Sequence, residues 1–274
     1  MSSCQDVLEL FWMSSSVSIG PFLIHLYGLI VTLAVFVGFA IVYFRATSYR
    51  IKKEDVLDLP LLLVIPVLFG ARAYHIFHYW DFYINNPGQI VAFWQGGLGI
   101  WGALIFGLAT LIFWTKVKKI KLLSLLDLLA PSVVLTQSIG RLGNFFNLEA
   151  FGPPTTLPWR IYIPPSTRPP QYFQNEFFHP TFFYEAIADF LIFLILIFSA
   201  RKFKNIPGLT FFLYVMLIGV VRFGLEFLRV NTWSFGEIKV AQVLAFSAIL
   251  AGFGFLILKF RSFDVKRKDF LSSK

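Results

Sequence analysis

Within the stretch SIGRLGNFFNLEAFGPP, Ser138 to Pro154, a guanidinium, two carboxamides, a carboxylate and three glycines lie between long apolar runs. The members that could do chemistry are Arg141, Gly143, Asn144, Asn147, Glu149 and Gly152. Arginine forks suit a phosphate because they present several donors in fixed geometry. Asparagines add neutral donors and acceptors, and glycines let backbone approach a ligand closely. Helix-end chemistry would explain one asparagine or one glycine, where polar side chains satisfy free carbonyls. It explains poorly the whole set beside hydrocarbon.

A second polar group lies in GVVRFGLEFLRV. Arg222, Glu226 and Arg229 are spaced i, i+4, i+7, which on a continuous helix places them on one face with the acid between two cations. A salt-bridged stripe joining helices is one reading; an anion site whose arginines are oriented by an acid is the other. Arg72, in LFGARAYHIFHYW, is expected to join Arg141 and Arg222 at a similar depth. Tyr27 could hydrogen-bond a ligand or serve as an interfacial aromatic. His179, in HPTFFYEA, either binds a ligand or opens the helix that follows Pro180. Glu185 and Asp189 follow inside that helix at i, i+4 and need partners, for which the arginines are the candidates. His25, His75 and His78 read as interfacial, and no His, Asp or Glu spacing resembles a metal site.

These residues must be held by elements that composition restricts. The chain has 274 residues, 57% hydrophobic and 19% aromatic, with 14% charged, and its mean hydropathy is +0.71. A soluble domain carries about 25% charged residues, so the chain reads as an all-α polytopic membrane protein. Seven runs are long enough to cross about 30 Å of hydrocarbon: 19–43, 56–78, 97–115, 122–140, 180–199, 208–228 and 238–258. Together they form one membrane domain, 1–274. The Pro- and aromatic-rich segment 141–178 is expected to form a small outer cap, since a long loop of this kind commonly binds or covers a ligand.

Seventeen of the 24 Lys and Arg fall in four clusters, around 45–53, 116–121, 201–204 and 259–274. With seven spans, all four clusters lie on one side of the membrane. The positive-inside rule makes that side the cytoplasm, with the N-terminus outside and the C-terminus inside. A basic rim explained by topology and anionic headgroups leaves no call for nucleic acid. The remaining seven, Arg72, Arg141, Arg160, Arg168, Arg222, Arg229 and Lys239, lie toward the outer side, where the rule disfavours them. Arginine at mid-bilayer costs about 2.5 kcal/mol or more and usually faces a partner or cavity. Cys4 is the only cysteine, so no intrachain disulfide or cysteine metal site forms. The segment before Ser16 has no Lys or Arg ahead of its apolar part and carries Asp6 and Glu9; it is expected to stay as an amphipathic lead-in.

Six segments in order, IGPFLIHLYGL, LFGARAYHIF, FWQGGLGIWGALI, SIGRLGNFFNLEAFG with TTLPW, HPTFFYEA, and RFGLEFLR followed by Gln242, resemble the bacterial prolipoprotein diacylglyceryl transferase family. The Gly140–Gly152 element matches its GRxGNFxNxExxG signature. The resemblance implies an inner-membrane enzyme that moves the diacylglyceryl group of phosphatidylglycerol to the lipobox cysteine thiol of a prolipoprotein. The products would be a thioether and glycerol phosphate, with no cofactor. It implies that Arg141 and Arg222 match essential arginines, and that Tyr27, Asn144, Glu149, Gly152 and Glu226 match other important positions. Two positions depart from the pattern: Trp101 stands where many relatives have a histidine proposed as a base, and Ile218 where many have a tyrosine. With Trp101 unable to accept a proton, Glu149 is the candidate to take or relay the thiol proton, or else to orient an arginine. A transporter or channel for an anionic lipid or solute remains the alternative. Such a path needs polar groups through to the cytoplasm, and only Asp58 and Asp127 lie deep on that side.

Overall fold

The computed structural model describes residues 16–19, 22–230, 232–236 and 238–272; the lead-in with Cys4, Asp6 and Glu9 lies outside them. Seven helices are long and apolar enough to span a membrane. They are α1 (Leu26–Arg45), α2 (Lys53–His78), α4 (Ile100–Val117), α5 (Leu122–Asn147), α6 (Thr181–Phe203), α7 (Leu209–Leu225) and α8 (Val240–Ser272). A short helix, α3 (Trp80–Asn85), follows α2. Three two-stranded antiparallel hairpins complete the regular structure: β1–β2 (Ser16–Ile19, Phe22–His25), β3–β4 (Ile161–Tyr162, Phe177–Phe178) and β5–β6 (Ser234–Phe235, Ile238–Lys239).

Two expected boundaries move by seven residues each. The first span starts at Leu26, not at 19, because Ser16–His25 pairs as a hairpin with Ser16 opposite His25. The fourth runs to Asn147 rather than stopping at 140, so Arg141, Asn144 and Asn147 ride on its last two turns. Their i, i+3, i+6 spacing comes from the helix and not from a loop.

The chain forms two compact units, 1–41 with 129–274, and 42–128. In the first, Ala130 and Val134 of α5 pack on Ile192 and Leu196 of α6, with Phe211, Tyr214, Ile218 and Val221 of α7 against them. Helix α8 closes on α7. Thr136 Oγ1 donates to the carbonyl of Ala34, tying α1 to α5. In the second unit, α2 packs along α4. Their closest approach is at Gly70 and Gly102, where a Cβ on Gly102 would collide with the Gly70 carbonyl; small residues of this kind let membrane helices meet backbone to backbone. Large apolar side chains such as Phe36, Leu61, Phe77 and Phe198 are exposed along the spans, as lipid-facing surfaces require.

The segment between α5 and α6 is built on short ladders. Pro154 bridges Phe178, Thr155 N–H donates to the Phe177 carbonyl, and Ile163 N–H donates to that of Glu176. Ile163 and Phe178 are fully buried beneath it. Arg168 donates to the carbonyls of Ile163 and Phe173 and lies over the Tyr162 ring. Arg160 donates to the Thr156 carbonyl and covers Phe177. These two arginines brace the segment between α5 and α6.

Candidate functional site

Three arginines from three segments of the first unit converge on one carboxylate. Arg141 Nη2, from the end of α5, donates to Glu185 Oε1 at 2.7 Å. Arg222 Nη1, from α7, stands 3.9 Å from the same oxygen, and Arg229 Nη2 stands 3.9 Å from Glu185 Oε2. Glu185 lies in the second turn of α6, where Thr181 Oγ1 donates to the Ala150 carbonyl and fixes the entry of the helix. Ser138 Oγ on α5 donates to the Ala186 carbonyl at 2.7 Å, clamping the two helices beside the cluster.

Glu226 is the second acid. Its side chain is fully buried, and its oxygens find no hydrogen bond; Arg222 Nη2 approaches Oε2 at 3.5 Å. A buried carboxylate needs its counter-charge, so Glu226 fixes Arg222 in place. Lys239 Nζ donates to the Glu226 main-chain carbonyl at 2.6 Å, which anchors the turn. The expected single helical face through Arg229 is corrected here. Helix α7 ends at Leu225, residues Glu226–Leu228 tighten into a 3₁₀ turn, and Arg229 is extended. Arg229 reaches Glu185 because the chain turns, not because the helix continues. Burial, and then the neighbouring Arg222 charge, pull Arg229 below the ordinary guanidinium value; it stays charged all the same. Three guanidiniums thus face two carboxylates, one excess positive charge before Asp189 is counted.

Asp189 lies one turn below Glu185 and is almost wholly buried. A small cavity of about 50 Å³ opens between these acids and is lined by Gln137, Arg141, Asp189, Ile218 and Arg222 among others. A cavity of that size and polarity has room for a hydrogen-bonded water. Ile218 forms its apolar side; one turn further, Tyr214 Oη donates to Gln137 Oε1 at 3.2 Å.

The Gly140–Gly152 element wraps the cluster's edge. The Tyr27 ring lies against Gly143, where a Cβ would come within 2.9 Å of Tyr27 Cδ2. Asn144 is buried and its carbonyl accepts from Glu149 N–H. Leu148 and Ala150, on either side of Glu149, both have left-handed backbone with φ of 49° and 57°. Non-glycine residues held so are strained and gather at functional sites. Glu149 itself is exposed, and its Oε1 accepts from Asn147 Nδ2 at 3.1 Å; its hydrogen-bond partner is an asparagine rather than an arginine. Gly152 is packed so closely that a Cβ would fall 2.7 Å from the Leu228 carbonyl oxygen and 2.7 Å from Thr181 Cγ2. His179 does not cap α6; its Nδ1 meets Tyr184 Oη at 3.2 Å. Trp159 Nε1 donates to that same oxygen at 2.7 Å, so the Tyr184 phenol joins both rings.

Arg72 and Trp101 belong to the second unit. Arg72 donates to the carbonyls of Ile90, Gly96, Gly97 and Gln89, contacts that hold the 86–99 loop. Trp101 is on the first turn of α4 and 43% exposed. No metal-binding cluster of His, Cys, Asp and Glu occurs among the described residues.

A separate apolar cavity of about 570 Å³, which no arginine lines, is formed by Leu142, Phe145, Phe146, Trp159, Phe183, Tyr184 and Ile187, with others. Leu142 follows Arg141 and Tyr184 precedes Glu185, so charged cluster and apolar wall share the same two helices. Residues 14–258 match the prolipoprotein diacylglyceryl transferase family.

The chain belongs to that family.

Relatives agree along nearly the full length. A phosphatidylglycerol–prolipoprotein diacylglyceryl transferase of a Nostoc species is 39% identical over 253 residues, 89% of each chain. Proteins of the same name from Fervidobacterium nodosum and Finegoldia magna are each 37% identical, over 85% and 82% of this chain and 80% and 87% of their own. The protein is therefore a multi-pass membrane enzyme of the diacylglyceryl transferase class. Glu185 and Asp189, at the centre of the cluster, had been legible only as acids in want of partners; Gln137 and Tyr214 gave no signal in the sequence. The clue available was two carboxylates one turn apart inside an apolar helix.

Proposed function

We propose that the protein transfers the diacylglyceryl group of phosphatidylglycerol to the lipobox cysteine of a prolipoprotein, the first step of lipoprotein maturation. It acts as one integral membrane domain, 1–274, in the bacterial cytoplasmic membrane, with the site on the outer face beneath the 141–178 cap. The observation that carries this reading is the meeting of Arg141, Arg222 and Arg229 at one carboxylate, on a helix that also lines an apolar cavity.

The reaction displaces a phosphate ester from a glycerol carbon by sulfur. Negative charge grows on the departing phosphate, and preorganised guanidiniums stabilise it more in a water-poor site than they would in water. Arg141 and Arg222 hold the headgroup phosphate; Arg229 and the buried Glu226 complete and orient the pair. Tyr27, Asn144, Asn147 and Gly152 form the polar edge on which the glycerol rests, and Glu149 orients Asn147. His179 joins Tyr184 and Trp159 in closing the apolar cavity, where the acyl chains lie. Arg72 contributes by fixing its loop. The basic clusters support the orientation, since they fall on the side opposite the arginine cluster when seven spans are counted.

The test incubates purified protein with labelled phosphatidylglycerol and a lipobox peptide. A thioether-linked product is expected, and none when the peptide cysteine is replaced by serine. Release of glycerol phosphate without thioether formation would refute the assignment.

A further inference from the structure

We propose that Glu185 is a resident counter-anion that holds the phosphate's place between turnovers and, once displaced by lipid, accepts the proton of the attacking thiol. This rests on the transferase reading above and names the proton acceptor for that reaction. The two acids of the cluster differ in a way that assigns the part. Glu226 is fully buried, and among the described residues its one ion pair is with Arg222, so it has no route out. Glu185 sits where the three guanidiniums meet, yet only Arg141 hydrogen-bonds it; Arg222 and Arg229 wait at 3.9 Å. The three arginine side chains keep between 24% and 31% of their surface exposed, so their remaining donors are within reach of an arriving anion. A phosphodiester carries the same single negative charge as the carboxylate, so it can take the carboxylate's place at the guanidiniums, and the thiol proton then neutralises the displaced Glu185. A tetrahedral phosphate also offers more acceptor oxygens than a carboxylate, enough to engage all three forks.

Displaced from Arg141, Glu185 has the small cavity beside it, with Gln137 and Asp189 on its walls. Two carboxylates one helical turn apart repel, and one proton between them relieves that repulsion. The thiol supplies it. Sulfur then forms its bond to the glycerol carbon while the carbon–oxygen bond to phosphate breaks and its electron pair goes to the phosphate. The released glycerol phosphate carries one more negative charge than the lipid did and takes the proton from Glu185. The carboxylate returns to Arg141. Glu149, exposed and engaged by Asn147, is not needed for the transfer.

The experiment compares wild type and Glu185→Gln, in nanodiscs containing phosphatidylglycerol, for lipid affinity and turnover with a cysteine lipobox peptide and its selenocysteine counterpart. A selenol is ionised at neutral pH and needs no base. E185Q is expected to bind phosphatidylglycerol as tightly as wild type or tighter, because the competing anion is gone. Its turnover with the thiol peptide should fall by about 10²-fold or more, the scale of a lost general base, and the selenol peptide should restore most of it. Weaker lipid binding with an equal loss for both peptides would make Glu185 a merely structural tie and overturn the proposal. So would near-normal thiol turnover. If E185Q does not fold, Glu185→Asp carries the same comparison, with thiol turnover expected to fall further than selenol turnover. Absence of thioether product from wild type would instead sink the transferase reading itself.

Discussion

Replacing Gly152 with alanine adds one methyl group at a place where the structure has no room. Its Cβ would lie 2.7 Å from the Leu228 carbonyl oxygen, 2.7 Å from Thr181 Cγ2 and 3.0 Å from His179 Cβ, against an ordinary contact of 3.4 Å or more. The Gly152 strand cannot retreat, because its N–H donates to the His179 carbonyl and Pro153 accepts from His179 N–H. A main-chain carbonyl cannot rotate aside as a side-chain tip can, so the 226–228 turn must move. That turn carries Arg229, whose 3.9 Å approach to Glu185 is already at the limit of an ion pair. Overpacking of this kind costs about 1–3 kcal/mol. If the strain is expressed in the placement of Arg229, kcat/KM for phosphatidylglycerol falls roughly fivefold to a hundredfold, since about 1.4 kcal/mol is tenfold. Initial rates across a range of lipid content in nanodiscs, with thermal unfolding of the same preparations, give both quantities. A variant that unfolds earlier but turns over within about twofold of wild type would refute the link from Gly152 through Leu228 to Arg229.

Arg141→Ala and Arg222→Ala should each lower turnover by at least about 10²–10³-fold, the loss typical of one transition-state donor, while the protein still inserts; near-normal rates in both would end the phosphate-clamp account. Trp101→Phe should keep substantial activity in the same assay, because no proton acceptor is lost there, and a loss as deep as that of R141A would contradict this. Arg72→Gln removes the fork that gathers four carbonyls of the 86–99 region. Limited proteolysis should cut that loop faster in the variant, and unchanged cleavage would show that the loop holds itself.

All seven spans were legible because crossing hydrocarbon demands about 20 apolar residues wherever the chain goes. The opening hairpin was not, since Ser16–His25 merges with the apolar run of α1 and offers no length or charge break. Arg141 and Arg222 stood out through the cost of their charge in apolar surroundings. Glu185 was legible only as one of two acids needing a cation; which arginines it joins was not, because it lies 44 residues from Arg141 and local spacing cannot choose among seven outlying cations. Arg229 misled in an instructive way: i, i+4, i+7 spacing persists in sequence after the helix has stopped, and only the 3₁₀ turn reveals the change. Arg72 and Arg168 illustrate a deeper limit. Both are satisfied by main-chain carbonyls, and every residue has one, so no pattern of residue types can announce such a partner.

The scattering of the cluster along the chain bears on how the protein is made. Arg141 enters with the fourth span, its partner Glu185 with the fifth, Arg222 with the sixth, and Arg229 only after that. During synthesis α5 therefore waits with an unmatched guanidinium until α6 arrives, and the pair then draws the two spans together as a hairpin. The last cation joins when most of the chain has left the ribosome. On the proposed reading, a nascent chain cut short before Arg229 would lack one of the three guanidiniums that face Glu185.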